Sequence, residues 1–507
     1  MAQLNGSIQV VDLGGGYGIR APGVHGTAEL KYPRGMAERS RSRLSEDGTT
    51  ALDTALAATG LTEVRQVDLR VQRPPAVAAA ATLRSSDGCQ DVLELAVPDL
   101  GPDIGQLVLA ADEFGVLTWH LPLDAQGLTE PSTTRGSGGV KRFRIPATVL
   151  GAAPAAPSAN RGLLGTLGHK LLKVLVYPIT DPIVGALGEF FTERWETRNR
   201  PYGLRDFAPT NFRAASAAPL GVADWARLAQ GRALLFIHGT FSTAHAAFAG
   251  LPDPVFAELY RRYGGRVFAF NHFTLSHDPR RNVAWLLDQL PDRPLAVDIV
   301  CHSRGGLVAR TLADPAAMGL GTPNLSVGKI VFVGVPNAGT PLADPDHLVT
   351  MLDRLTTALN LFPTGPVEET LEAIITAVKV IGHGTLQGLE GLASMQPGGD
   401  FLARLNGGAP SGTGYHAIGA DFAPVGDGWK ALISGTVADA VLDRVFEQVP
   451  NDLVVPEPGV FAVSGCPAFP IPDARRLPVP ASAGVIHTTL FGYPPTGERL
   501  LDWLTAT

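Results

Sequence analysis

The chain changes its hydrophobic rhythm more than once. Up to about residue 150, short runs of β type, Ser7 to Leu13, Val64 to Gln72, Asp91 to Val97 and Gly115 to Leu121, are separated by Gly, Pro and Asp turn signals. They predict a small β-rich domain over 1–150. Residues 151–162, GAAPAAPSANRG, are rich in Ala, Pro and Gly and have no periodicity, the pattern of a linker. Leu163 to Arg200 is Leu-rich and interrupted at Pro178 and Pro182, which predicts one or two helices inside a helical bridge over 163–230.

From about Arg232 the pattern becomes apolar strands alternating with helical stretches: ALLFIHG, RVFAFNH, LAVDIVCHS, KIVFVGVP and GYHAIGAD. Continuous apolar strands separated by helices predict βα units around a mainly parallel sheet buried on both faces, occupying 231–507. A closing helix is expected over Thr496 to Leu504. Between two of the strands lies an insertion, 341–412. In it Leu348, Leu352, Leu355 and Leu359, then Val367, Leu371, Ile374, Ile375 and Val378, recur at helical spacing. These helices are expected to form a cap or lid.

Composition narrows the function class. The chain has 507 residues, 45% hydrophobic and 18% charged, enough for two to four domains with a large core. A net charge of -7 and the absence of long Lys or Arg runs argue against nucleic acid. Cys89, Cys301 and Cys466 are widely spaced, lack metal-ligand spacing and cannot all pair, which favours a reduced compartment. The N-terminus carries no signal-peptide pattern, so a cytoplasmic location is expected. Apolar runs such as Leu171 to Tyr177 fall short of the roughly 20 residues of a spanning helix. Lys170 and Lys173 alone do not favour a membrane-surface helix, although peripheral contact stays open.

The strongest chemical signal is LAVDIVCHSRGGLVAR. An apolar strand runs through Cys301 into a sharp turn at Ser303, followed by two glycines and a helix. Such a turn exposes a serine hydroxyl and places the next amides at a helix N-terminus. The usual pattern is G-x-S-x-G; here Cys301 replaces the first glycine and Gly305 keeps the second. A second signal, ALLFIHGTF, ends a strand in His238-Gly239-Thr240-Phe241. Acyl transfer needs two fixed amides aimed at the developing oxyanion, and Thr240 and Arg304 would supply them. Gly239 permits close backbone approach, and His238 is assigned only a turn-stabilising role. The Arg304 guanidinium is expected to form a structural pair or to meet solvent. LGGGYG near the N-terminus lacks the helix and acidic partner of a dinucleotide site, and no metal-ligand cluster is visible, so neither cofactor nor metal is expected.

HGTF, CHSRGG, VFVGVPNAGTPLAD, DFLARLN, NDLVVP and VIHTTLF follow one another in lipase-like order, and from about Arg232 onward the chain resembles the α/β-hydrolase superfamily, in particular its bacterial lipase and esterase-like members. The resemblance implies an α/β-hydrolase fold with a helical cap insertion, preceded by the smaller β-rich domain. It also implies a carboxylate late in the sheet, for which Asp452 in PNDLVVP is preferred to its rival Asp421, and a base after the last strand, His487. The expected activity is hydrolysis of carboxylic esters, lipid esters among them, through an acyl-enzyme on Ser303. A thioesterase, amidase or polyester depolymerase would use the same residues. A binding or assembly protein built on a hydrolase scaffold, with a partner for the N-terminal domain, is the alternative outside enzymes.

Overall fold

The computed structural model describes residues 1–33, 46–72, 92–112, 116–123, 139–146, 167–179, 187–321, 324–361, 366–383, 388–408, 413–422 and 449–504. The expected linker 151–162 lies outside them.

The N-terminal region contains β1 (Ala2–Asn5), β2 (Val10–Gly14), β3 (Tyr17–Arg20), β4 (His25–Lys31), helix α1 (Glu46–Ala58), β5 (Thr62–Gln72), β6 (Val92–Pro98), β7 (Ile104–Asp112), β8 (Leu117–His120), β9 (Val140–Pro146) and β10 (Leu167–Pro178). Six of the strands form an antiparallel sheet in the order β1-β4-β5-β10-β7-β8, and four form a second in the order β2-β3-β6-β9. Inward residues of both, such as Ile19, Val67, Leu95, Phe143 and Val174, share one buried cluster. The region is therefore a β-sandwich, each sheet hiding alternate side chains against the other.

The helical bridge expected over 163–230 is corrected. Leu167–Pro178 is a strand near the middle of the six-stranded sheet, paired with β5 and β7. Leu172 and Val174 face the sandwich interior, while Leu175 and Tyr177 belong to a cluster on the opposite side. A strand buried on both faces loses its alternation and reads as a continuous apolar run, which periodicity alone cannot tell from a helix. The sandwich thus extends beyond 150. After it, helix α2 (Leu187–Asn199) is helical as expected, and β11 (Gly203–Asp206) already belongs to the next sheet.

That sheet contains β11, β12 (Ala233–Ile237), β13 (Val267–Asn271), β14 (Leu295–His302), β15 (Leu325–Val333), β16 (Gly414–Ala420) and β17 (Arg476–Val479), ordered β11-β13-β12-β14-β15-β16-β17. Every neighbouring pair is parallel except β11 with β13. Helices α3 (Asp253–Arg262), α4 (Pro279–Asp288), α5 (Gly305–Ala313), α6 (Leu348–Leu361), α7 (Val367–Gly382) and α8 (Pro494–Trp503) follow in chain order. Leu234, Phe236 and Val300 pack on one face with α3 and α8, while Leu235, Ile299 and Phe332 pack on the other with α4 and α5. Both faces are covered, which is why the strands read as unbroken apolar runs. A mainly parallel sheet covered by helices on both faces, with a sharp turn from β14 into α5, is the arrangement that the sequence resemblance implies.

The insertion between β15 and β16 contributes α6 and α7. They lie between the two regions, because Trp119 and Tyr177 on the outer face of the six-stranded sheet, Leu52 and Leu56 of α1, and Leu352 and Ile374 of the insertion share one core. Each such side chain, fully buried, contributes about 1.5–3 kcal/mol.

Candidate active site

Ser303 sits on the turn between β14 and α5 with φ 52, and its amide donates to the Val333 carbonyl at 2.9 Å. A left-handed serine is held there because the helix must come close to the sheet. A Cβ on Gly305 would lie 2.4 Å from the His238 oxygen. Cys301, standing where the usual motif has glycine, is fully buried, and burial pushes its thiol well up from the ordinary value. It is thereby kept as an inert thiol.

His487 and Asp452 meet in the loops after β17 and β16. The His487 Nδ1 lies 2.7 Å from Asp452 Oδ2. Asp452 Oδ1 accepts from the amides of Val454 and Val455 at 3.0 and 2.7 Å, and the His487 amide donates to the Asp452 carbonyl at 3.0 Å. With Nδ1–H committed to the carboxylate, Nε2 is the ring nitrogen left to accept a proton. Asp421 has a different neighbour: its Oδ1 accepts from the Asn451 amide at 3.3 Å, bracing the turn that carries Asp452.

Thr240 is half-buried at the end of β12, beside Ser303. A Cβ at the preceding Gly239 would stand 2.5 Å from the Ser303 Cβ and 3.0 Å from the His302 oxygen, so no larger residue fits. His238 Nδ1 donates to the Gly239 carbonyl at 3.0 Å, and its Nε2 accepts from the His272 amide at 3.2 Å. Burial pushes His238 down to about 3, so the ring stays neutral and serves as a strut for the turn.

The Arg304 guanidinium does not meet solvent, and no carboxylate pairs with it directly. It is fully buried and donates from Nε to the Gly391 carbonyl at 2.7 Å and from Nη2 to Asn282 Oδ1 at 3.0 Å and to the His277 carbonyl. Burial pushes it down to about 10, opposed by the charge of Glu196. Glu196, also fully buried, receives the amides of Thr274, Leu275 and Ser276. A second residue without a role in the sequence reading is His302. Its Nε2–H donates to the His487 carbonyl at 3.1 Å, and the two rings lie 4.8 Å apart. Burial pushes His302 down to about 3. Nothing local in the sequence marks either residue, because their partners lie 78 to 185 positions away.

Ser303, His487, Thr240 and His302 line one cavity, whose walls are Phe241, Ala246, Met351, Leu355, Leu359, Met395, Val454 and Phe491. Leu352 is buried but turned away from it. The non-glycine residues at positive φ among the described residues are Phe241, Ser303 and Leu453, each a member or the direct neighbour of this group. Such conformations cost about 1–3 kcal/mol each and persist where surrounding structure enforces them. Among the described residues there is no cluster of His, Cys, Asp or Glu able to hold a metal, and no helix long and apolar enough to cross a membrane.

Several solved structures are similar to part of this chain. The mature lipase BlEst2 of Bacillus licheniformis is 17% identical, covering 54% of this chain and 91% of its own, with a TM-score of 0.32. Lipase 1 from Pelosinus fermentans is 12% identical, with 53% and 98% covered and a TM-score of 0.37. The Staphylococcus hyicus lipase is 12% identical, with 54% and 93% covered and a TM-score of 0.30. Comparison with curated proteins gives no match. Residues 199–505 match the model of a family described as a domain of unknown function (DUF7379), and since that match takes in more than half of the chain, the protein belongs to this family.

Proposed function

We propose that the protein is a serine hydrolase of carboxylic esters. Ser303 Oγ attacks the ester carbonyl carbon while His487 Nε2 takes its proton, and Asp452 holds the imidazole and balances its positive charge. The carbonyl oxygen becomes an oxyanion that accepts from the backbone amides of Thr240 and Arg304. Collapse breaks the bond to the alkoxy oxygen, and His487 returns the proton to the leaving alcohol. Water then attacks the acyl-enzyme, His487 takes the water's proton, and the acid departs as Ser303 regains its hydrogen. The cavity's apolar walls suit an acyl group, and the steps need no cofactor.

The observation that carries this reading is the 2.7 Å contact of Asp452 with His487, which lines the same cavity as the left-handed Ser303. The same residues accept thioesters and amides in principle, since the leaving group is not encoded by them. The test is labelling by a fluorophosphonate probe together with hydrolysis of p-nitrophenyl esters, thioesters and anilides by wild type and Ser303→Ala. Labelling and ester turnover should both vanish in the variant. Retained turnover in Ser303→Ala removes the mechanism, and absence of labelling in wild type favours a non-catalytic scaffold.

A further inference from the structure

Helix α6 presents two working faces. Met351, Leu355 and Leu359, one turn apart, wall the cavity that holds Ser303. Asp353, Thr356 and Thr357 point instead to β8, the edge strand of the sandwich. The Trp119 amide donates to Asp353 Oδ1 at 2.6 Å, and the Leu117 amide donates to Thr357 Oγ1 at 3.0 Å. The Trp119 indole donates to Thr356 Oγ1 at 3.1 Å. An edge strand leaves alternate amides unpaired, and here the helix satisfies them.

Helix α7 is fixed in the same way. Lys379 Nζ donates to the Thr59 carbonyl at 2.7 Å just past α1, and the Tyr177 hydroxyl of β10 donates to the Lys379 carbonyl at 3.1 Å. On the catalytic side, Arg354 of α6 donates to the Leu453 carbonyl at 3.3 Å, and Glu369 of α7 lies 3.4 Å from His245. A lid that swings open to meet a lipid surface would strand the half-buried Asp353 carboxyl and the amides of the buried Leu117 and Trp119 without partners. A polar group that has given up water and then loses its protein partner is left unsatisfied, which opposes such an opening.

We infer that α6 and α7 are a permanent wall, held by the sandwich, and that the substrate is an ester presented as a single dissolved molecule rather than as aggregated lipid. This rests on the ester-hydrolase reading above. The acyl group packs against Met351, Leu355 and Leu359 without prior movement of the cap. The sandwich acquires a function: it holds the wall of the acyl cavity.

The test uses the full chain. Hydrolysis of p-nitrophenyl hexanoate and of tributyrin is followed across the solubility limit of each. The rate should follow a single saturation curve below that limit and show no step on crossing it. Hydrogen exchange of α6 amides should be unchanged by Triton X-100 micelles. Leu355→Trp, which fills the cavity, should lower the hexanoate-to-acetate ratio of kcat/KM about tenfold. A severalfold rise in rate at the solubility limit, or loss of α6 protection in micelles, overturns the inference and leaves the hydrolase reading standing. An unchanged acyl ratio in folded Leu355→Trp also overturns it. If no ester is hydrolysed in any form and Ser303 is not labelled, the hydrolase reading itself falls, and this inference with it.

Discussion

The sandwich and the catalytic region treat left-handed backbone differently. Among the described residues of the sandwich the positive φ angles fall on glycines, Gly6, Gly14, Gly15, Gly16, Gly23, Gly26 and Gly101 among them. There the turn needs only a permissive residue and nothing from its side chain. In the catalytic region the left-handed conformation is also imposed on Phe241, Ser303 and Leu453. Glycine would relieve each of them. At Ser303 the side chain is the proposed nucleophile, while Leu453 and Phe241 directly follow Asp452 and Thr240, the proposed acid and oxyanion donor. Among the described residues, non-glycine left-handed backbone is thus found at the turns around the proposed site and not at those of the sandwich.

The sharpest way to break this comparison is Ser303→Gly. Turnover should fall by a factor of about 10⁴–10⁶, while the unfolding free energy from urea denaturation should not decrease and should rise by up to about 1 kcal/mol. A fall in stability would show that the elbow is not strained. Next in size is the pair Asp452→Asn and Asp421→Asn. The first should reduce kcat about 10⁴-fold, because it removes the partner of His487 Nδ1, and the second should leave kcat within severalfold of wild type. The reverse ranking in steady-state assays would reassign the acid.

Smaller effects sharpen the contrast. Leu453→Gly should relax the turn after Asp452 and lower kcat about tenfold through misalignment, whereas Gly14→Ala in the sandwich, at φ 88, should cost about 1 kcal/mol of stability and leave kcat unchanged. Equal effects on kcat would erase the difference between the regions. The smallest expected effect is on pH. Burial pushes Lys379 down to about 8, below its unfolded value of about 10.4. Between these values the unfolded chain binds more protons, so this group's contribution to stability rises with pH over that window and is lowest below pH 8, where both states are protonated. Lys379→Met should flatten the rise in Tm between pH 8 and pH 10. An identical rise in the variant would assign it elsewhere.

Much of the proposed site is legible in the sequence because its signals are local. LAVDIVCHSRGG carries strand, turn and helix in one stretch, and ALLFIHGTF ends its strand at the Gly239 that must pass Ser303. The placing of β12 to β16 followed from the same unbroken apolar runs. That signal failed at β10, where Leu171 to Tyr177 is equally apolar but is buried between a second sheet and a pair of helices. β11 and β17 were missed as four-residue edge strands, GLRD and RLPV, with little apolar content. The polar face of α6 gave no hint either, since Asp353, Thr356 and Thr357 find their partners 234 to 240 positions away. Of the helical stripe Leu348, Leu352, Leu355 and Leu359, Leu355 and Leu359 line the cavity while Leu348 and Leu352 are buried away from it.

The back of α6 also bears on inheritance. The family match begins at 199, so it includes α6 and α7 but not the strand edge that holds them. Replacing the sandwich therefore removes the partners of Asp353, Thr356, Thr357 and Lys379 as well. Wherever the 199–505 unit is joined to a different neighbour, those four positions should drift as a set while Ser303, Asp452 and His487 stay fixed. Chimaeras joined near 199 that keep these four positions with their own sandwich should fold, and those joined within 151–162, between β9 and β10 of the sandwich, should not.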